Sequence, residues 1–445
     1  MSKVKTLILI ISDIIILYGA LALTLVLRYK GDFFSSHFED HFVPFSIIFI
    51  VWLIVFYLFD LYRNKNLRID PSAFQIFIFG IFVSVLSSVT LFYLFPGLFK
   101  LTPKTNLVLF AFIFGVVDFA WRSLLVKIFI SSGSKNRLLI IGDSPITKEI
   151  TEYLEENPQA GYTVASQIKN IEDYSAKELE EKIAEAIKEQ HLNTVIIQSN
   201  LKKNPEIINA VYKLLSFEIS ILDIVSFYET LLEKIPLDEL DEGWFIEKLI
   251  TRTRIYDTLK RVIDLVLGII LFIILIPFMV IIAILIKLTS RGPILYSQKR
   301  MGKGEKAFTL YKFRTMKEGN NGPLWTTDND KRITFVGKIL RRSHLDEFPQ
   351  LYNIIKGDIS FIGPRAERIE LAESFRQLPR YEIRHIIKPG LTGWAQLNYK
   401  PSASLEEAKE KLEYDIYYIK NKSLILDFLI LIKTIKYVFI SNTKS

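Results

Sequence analysis

The sequence predicts a membrane α-helical bundle plus α/β structure: four transmembrane helices, a doubly wound Rossmann-like domain, and a C-terminal α/β domain embedded in the membrane through a re-entrant helix. Three observations carry this. Half of the 445 residues are hydrophobic and 33 are phenylalanine, an apolar load suited to bilayer segments. Four long apolar stretches fill the first third of the chain. Beyond them, short apolar runs alternate with charged helical segments, the texture of a parallel sheet.

The apolar stretches cover roughly 6–27, 44–62, 73–95 and 105–130, each about long enough to cross a bilayer as a helix. The first is too long, and too poor in small residues at its end, for a cleaved signal peptide. Lys3 and Lys5 precede it, Arg63, Lys65 and Arg68 follow the second, and Lys127, Lys135 and Arg137 follow the fourth. The first loop instead carries Asp32, Glu39 and Asp40. This bias places both ends of the bundle, residues 1–132, in the cytoplasm. The net charge of +8 reads as such positive-inside flanks, with anionic lipid or a phosphate substrate as alternatives.

Residues 136–232 form the predicted α/β domain. "NRLLIIGDS" (Asn136–Ser144) reads as a buried strand entering a glycine turn, and "ITKEITEYLEENP" as the helix after it. "NTVIIQS" (Asn193–Ser199) and "ISILDIV" (Ile219–Val225) are further strands, with helices near 176–190 and 204–216. The first turn, Gly142-Asp143-Ser144-Pro145, lacks the G-x-G-x-x-G spacing that admits a pyrophosphate. A regulatory or oligomerising role therefore stands ahead of a nucleotide or CoA site, and a homo-oligomer is expected.

A mixed linker leads to "RVIDLVLGIILFIILIPFMVIIAILIK" (Arg261–Lys287), with Pro277 in its midst. Lys260 and Arg261 precede this segment, and Lys287, Arg291, Lys299 and Arg300 follow it. Basic flanks on both sides conflict with a simple crossing, and a mid-helix proline kinks the helix. The segment 260–288 is expected to dip into the cytoplasmic leaflet and return; an ordinary kinked fifth span is the alternative. Near the C-terminus, "LILDFLILIKTIKYVFI" (Leu424–Ile440) is short for a span and suits a surface-lying helix.

Absence of cysteine excludes disulfides, thiolate catalysis and Cys-ligated zinc. The five histidines (37, 41, 191, 344, 385) show no metal-ligand spacing, so a metal site would be oxygen-rich. Attention falls on "RRSHLDEFPQL", Arg341–Leu351. With proline confined to a first helical turn, the economical reading makes Asp346 the N-cap of a helix that Gly357 closes. Both Asp346 and Glu347 then sit at a positive helix end, beside Arg341 and Arg342, where phosphate also binds well. A capped helix with a surface ion-pair cluster is the plain alternative.

Three more pieces lie within 90 residues. In "FTLYKFRTM" (Phe308–Met316), strand alternation puts Lys312 and Arg314 on one face, about 7 Å apart, a spacing compatible with a diphosphate. "GDISFIGPRAE" presents Arg365 on a Gly-Pro turn, where a guanidinium can grip phosphate. "KPGLTGWAQ" (Lys388–Gln396) is a glycine-rich loop with Trp394. Singly, each is an exposed strand, a turn or a loop.

Together, "YKFRTM … RRSHLDEFPQLYNIIKGDISFIGPRAE … KPGLTGWAQ" after a proline-bearing apolar helix resembles the bacterial polyprenyl-phosphate sugar-1-phosphate transferases, in their long form. The resemblance covers Tyr256–Ser445 strongly. It implies a catalytic domain at 256–445 with Asp346 as nucleophile and Glu347 as ligand of Mg2+, or Mn2+. It also implies that Lys312, Arg314, Arg341 and Arg365 handle phosphates and nucleotide. The implied reaction moves a sugar-1-phosphate from a UDP-sugar to polyprenyl (undecaprenyl) phosphate through an aspartyl-phosphosugar intermediate, releasing UMP. It would open exopolysaccharide, capsule or O-antigen assembly at the cytoplasmic face of a bacterial inner membrane, with no nucleic-acid partner. The family often has Gly-Pro-Arg-Pro, whereas Ala366 stands here. Two rivals remain: a membrane-anchored nucleotide-sugar dehydratase, which needs the missing glycine fingerprint, and a non-catalytic scaffold, which would not need the carboxylate pair.

Overall fold

The computed structural model describes residues 3–29, 38–59, 61–62, 71–96, 104–131, 136–171, 174–198, 209, 212, 219–249, 254–317, 332–399 and 404–441. It divides into two compact units, 1–227 and 228–445. In the first, the four apolar stretches are the helices α1 (Lys3–Tyr29), α2 (Phe38–Leu58), α3 (Pro71–Leu94) and α4 (Lys104–Ser131). All four are long and apolar enough to cross a membrane. Much of the phenylalanine lies in their shared interior: Phe45, Phe110 and Phe114 are fully buried with Trp52, and Trp52 meets Phe110 and Phe114 edge-on at 5.1 and 5.3 Å. Such edge-to-face pairs add about 1 kcal/mol each beyond area burial.

One polar knot interrupts this interior. Arg122 of α4 donates Nε to Asp118 at 2.7 Å and Nη2 to Asp13 of α1, while Tyr62 donates to Asp13 at 2.8 Å. Asp13 and Asp118 have no side-chain exposure, so the arginine neutralises charge that hydrocarbon would reject.

The α/β part is a four-stranded parallel sheet in the order β2-β1-β3-β4, from β1 (Asn136–Ile141), β2 (Tyr162–Ile168), β3 (Thr194–Ile197) and β4 (Ser220–Asp223). Leu139 of β1 pairs with Val195 of β3, and Val195 with Ile221 of β4. The two predicted helices here are α5 (Pro145–Glu156) and α6 (Ala176–Glu189), the latter opened by a Ser175/Glu178 capping box. The predicted helix near 204–216 falls almost wholly outside the described residues, as does the basic flank at 63–68. β2 escaped the sequence reading because it is an edge strand of mixed polarity, only Ile168 being buried. The turn after β1 is filled by the protein's own side chains. Gln167 donates to the Gly142 carbonyl at 2.9 Å, and a Cβ on Gly142 would stand 2.4 Å from Gln198 Oε1.

The second unit is organised along α7 (Arg254–Thr289), whose 36 residues run as one helix through Pro277. Its flanking elements are the antiparallel pair β5 (Leu295–Met301) and β6 (Ala307–Phe313), then α8 (Phe335–Arg342) and α9 (Gln350–Lys356). The parallel pair β7 (Ser360–Ile362) and β8 (Gly390–Thr392), with α10 (Ile369–Phe375), α11 (Leu405–Asn421) and α12 (Leu424–Ser441), completes it. The same unit grips both ends of α7. Near its start, Arg261 donates to the carbonyls of Ile354 and Ile355 at 2.7 Å, and Lys260 pairs with Asp427 at 2.6 Å. Near its end, Ile282 and Ile286 pack with Phe313, Val336 and Leu340. Asp427, which breaks the apolar run of α12, thus points inward to Lys260 and Tyr418 and carries no solvent-facing role.

Candidate active site

β6 brings a cation into the site. Leu310 and Phe313 are buried, while Lys312 projects to Glu347 and donates to Oε1 at 2.5 Å, both side chains about one-fifth exposed. Behind it, fully buried Asn353 of α9 donates to Thr309 O at 2.7 Å and accepts from Tyr311 N at 3.2 Å, which fixes α9 to the strand.

The expectation that Asp346 caps a helix is overturned. α8, N-capped by Thr334, ends at Arg342; His344 adopts a left-handed backbone (φ 56°), and Leu345–Glu347 form a single 3-10 turn before α9, which begins only at Gln350. Pro349 adopts helical angles at the α9 cap position, so the carboxylates ride a connection between two helices. Gly357 closes α9 as expected, at φ 95°. Asp346 is 9% exposed and, among the described residues, accepts no hydrogen bond.

The two carboxyls are driven apart electrostatically. Burial raises Asp346 above the ordinary aspartate range, opposed by Lys312 and reinforced by Glu347. Burial also works against ionised Glu347, but Lys312 and Arg365 overcome it and hold Glu347 below the usual glutamate range. Glu347 is therefore a fixed anion, and Asp346 a destabilised carboxylate without a partner of its own. Titrating groups pushed apart in this way mark acid, base or nucleophile sites.

Arg365 stands exposed on the turn after β7, as the sequence predicts, and acts on Glu347 through its charge. Arg341, in the last turn of α8, likewise lowers Asp346. Arg314 is placed differently from expectation. β6 ends at Phe313, and the Arg314 guanidinium donates to Arg291 O at 2.7 Å and to Ser290 O and Oγ at 3.0 and 2.7 Å. It satisfies carbonyls that the end of α7 leaves open, so it does not pair with Lys312 in presenting two cations.

Sequence reasoning passed over Arg300. Its Nη1 donates to Ala366 O at 2.8 Å, and burial together with nearby Arg365 pulls its guanidinium down to about 10. Arg300, Lys312, Glu347, Gln350, Arg365 and Gly390 line one small cleft, so three cations face one carboxylate there. Trp394 is buried and donates to Glu233 O at 3.0 Å, an anchor for the glycine-rich loop. No residue pattern marked Arg300 as part of the cleft, since its contact with Ala366 spans 66 residues; beside the carboxylates, His344 holds a left-handed non-glycine conformation of the kind concentrated at functional sites.

Known proteins bear on this arrangement. Residues 255–441 match the profile of the bacterial sugar transferase family. The chain is 30% identical over 327 residues to a UDP-glucose:undecaprenyl-phosphate glucose-1-phosphate transferase of Klebsiella pneumoniae, covering 70% of this chain and 69% of that one. The chain belongs to the bacterial sugar transferase family. It is also 41% identical over 221 residues to a UDP-N-acetylgalactosamine-undecaprenyl-phosphate N-acetylgalactosaminephosphotransferase of Aeromonas hydrophila, 49% of this chain. The exopolysaccharide production protein PSS of Rhizobium leguminosarum bv. phaseoli is 39% identical over 186 residues, 40% of this chain and 93% of that one. The match spans about half (52%) of the Aeromonas relative's length. All seven residues singled out from the sequence lie within the stretch matched by the family profile.

For a metal, no cluster of three or more carboxylates or imidazoles exists among the described residues. The donor set is two adjacent carboxylates. That fits an ion of the magnesium kind, which binds through one or two carboxylates and takes its remaining ligands from phosphate and water.

Proposed function

We propose that this transferase moves a sugar-1-phosphate from a UDP-sugar to polyprenyl phosphate, with Asp346 as the nucleophile. The observation that carries the reading is the pairing of buried, unpartnered Asp346 with Glu347 held ionised by Lys312. An Asp346 oxygen attacks the sugar-bearing phosphorus, and the bond from that phosphorus to the UMP oxygen breaks, so UMP leaves with the electron pair. An oxygen of the lipid phosphate then attacks the same phosphorus, and the aspartyl–phosphorus bond breaks to restore the carboxylate. A raised Asp346 basicity makes its ionised form the better attacking group.

Arg300 and Arg365 offset the phosphate charge that would repel the nucleophile. Lys312 keeps Glu347 ionised and oriented. Mg2+ would be held by Glu347 through the oxygen not given to Lys312, and would supply further neutralisation of the diphosphate. Names of the relatives support the two substrates, and they differ over the sugar, glucose or N-acetylgalactosamine. The re-entrant reading of α7 belongs here too. Its support is that Arg261 near one end and Ile286 near the other are held by one folded unit, as expected when neither end crosses.

The direct test incubates the purified full chain with a UDP-sugar labelled in the sugar, without lipid acceptor, and follows the label on protein by mass spectrometry. Wild type should carry a phosphosugar adduct on Asp346 and release UMP; Asp346→Asn should do neither and remain folded. An adduct that persists in Asp346→Asn, or falls elsewhere, removes the assignment.

A further inference from the structure

A cavity of about 720 Å3 opens beside the N-terminal part of α7, lined by none of the residues that line the catalytic cleft. Its cationic wall is uneven in its pairing. Lys260 is matched by Asp427 at 2.6 Å and Lys422 by Asp257 at 3.2 Å. Arg261, Lys303 and Lys388 remain, against Asp264, whose Oδ1 accepts from Phe361 N at 3.2 Å. Arg261 has carbonyl acceptors at the end of α9, so a helix-end role explains it.

Lys388 has no such explanation. Among the described residues its ammonium makes no hydrogen bond or ion pair, and burial and the neighbouring Arg261 depress its basicity, with Asp264 and Asp358 offsetting only in part. A Cβ on Gly357 would meet Arg261 Cζ at 3.1 Å and Lys388 Nζ at 3.3 Å, so both cationic heads reach the same point from different elements. Two like charges held together, neither in an ion pair among the described residues, form a costly arrangement that an anion relieves. Ile362, Ile386 and Ile387 add apolar wall beside the charges, at the foot of a helix long and apolar enough to cross a membrane.

We propose that this cavity is a phosphate site separate from the catalytic cleft, and that it seats the headgroup of an anionic phospholipid between Arg261, Lys303 and Lys388. A phosphodiester supplies the missing charge, and the isoleucine wall takes the first part of the acyl chains. Free phosphate offers the same anion chemistry without that apolar contact.

Acylation of Lys388 by an amine-directed reagent, read by mass spectrometry on the full-length protein, reports occupancy. Nanodiscs of phosphatidylcholine are compared with nanodiscs containing phosphatidylglycerol. Detergent samples in chloride or inorganic phosphate at equal ionic strength form the second pair. Phosphatidylglycerol should slow acylation of Lys388 about tenfold, the scale of one well-placed ion pair, and leave exposed Lys356 unchanged. Lys303→Gln, at an exposed position, should weaken that protection without disturbing the fold. Protection by inorganic phosphate alone keeps the anion site and makes free phosphate its occupant. Equal acylation of Lys388 in every condition overturns the proposal. So does slowing of Lys356 to the same degree as Lys388, or protection unaltered by Lys303→Gln.

Discussion

Replacing Gly390 with alanine should cripple the site without touching a charged group. β8 runs so close to β7 that a Cβ on Gly390 would stand 2.1 Å from Gly363 N, 2.4 Å from Thr392 O and 2.6 Å from Ile362 C. Backbone atoms cannot swing aside, so the strands must part by about an ångström to restore ordinary contact. Besides the ladder that pairs β7 with β8, three hydrogen bonds cross this seam: Ser360 N to Pro389 O at 2.8 Å, Gly363 N to Thr392 O at 2.9 Å and Gly390 N to Pro364 O at 2.9 Å. Loosening them costs about 3 kcal/mol at roughly 1 kcal/mol each. The turn that presents Arg365 bridges directly to Gly390 and is further held by Arg384 Nη2 on Arg365 O at 3.1 Å. Arg365 therefore moves with the strand, and if it handles phosphate as proposed, a displacement of about 1 Å costs on the order of a hundredfold in rate. The assay is transfer of labelled sugar phosphate to polyprenyl phosphate, alongside amide exchange at Gly363 and Gly390. Wild-type transfer with fast exchange at both amides would refute the link between this seam and catalysis.

Three other outcomes are expected. Glu347→Gln should lower the rate and raise the Mg2+ or Mn2+ concentration needed for half-maximal transfer, and an unchanged metal requirement would leave Glu347 only its ion pair with Lys312. His385, buried and facing Arg384, is depressed from 6.5 to about 4. A depressed basic group is protonated first in the unfolded chain, so its stabilisation is complete above pH 6.5 and disappears as pH falls toward 4, about 3 kcal/mol in all; denaturant titrations from pH 7 to 4 should show this loss, and His385→Gln should flatten it. Cysteines introduced at Thr258 and Leu288, flanking the apolar part of α7, should both react with a membrane-impermeant thiol reagent only after cell lysis. Leu288 is 78% exposed and is preferred to Ser290, which Arg314 occupies; labelling of either position in intact cells defeats the re-entrant reading.

What the sequence disclosed depended on how local the determinant was. Apolar length placed α1, α3 and α4 to within three residues at each end and α2 to within six, because a bilayer-length helix needs little beyond hydrophobicity. Period-two alternation found Lys312, and the Gly-Pro turn found Arg365. The error at Asp346 came from treating Pro349 as a helix start with the preceding residues as its cap. His344 in a left-handed conformation inserts a separate turn, which no residue pattern announces. Arg314 was misplaced because alternation says which face a side chain takes and nothing about where the strand stops. Arg300 and Lys388 owe their surroundings to segments 60 or more and 30 or more residues away, Ala366 and Gly357, and contacts of that range are set by the assembled fold.

The polar knot between α1 and α4 has a bearing on biosynthesis. Asp13 leaves the ribosome 109 residues ahead of Arg122, the cation it pairs with among the described residues. During that interval α1 carries a lone carboxylate in an otherwise apolar helix, at a cost of about 3 kcal/mol for residence at the centre of hydrocarbon. The helix can settle by keeping the acid protonated or by waiting at the insertion machinery until α4 arrives. Either way, α1 gains its charge partner only once α4 has been made.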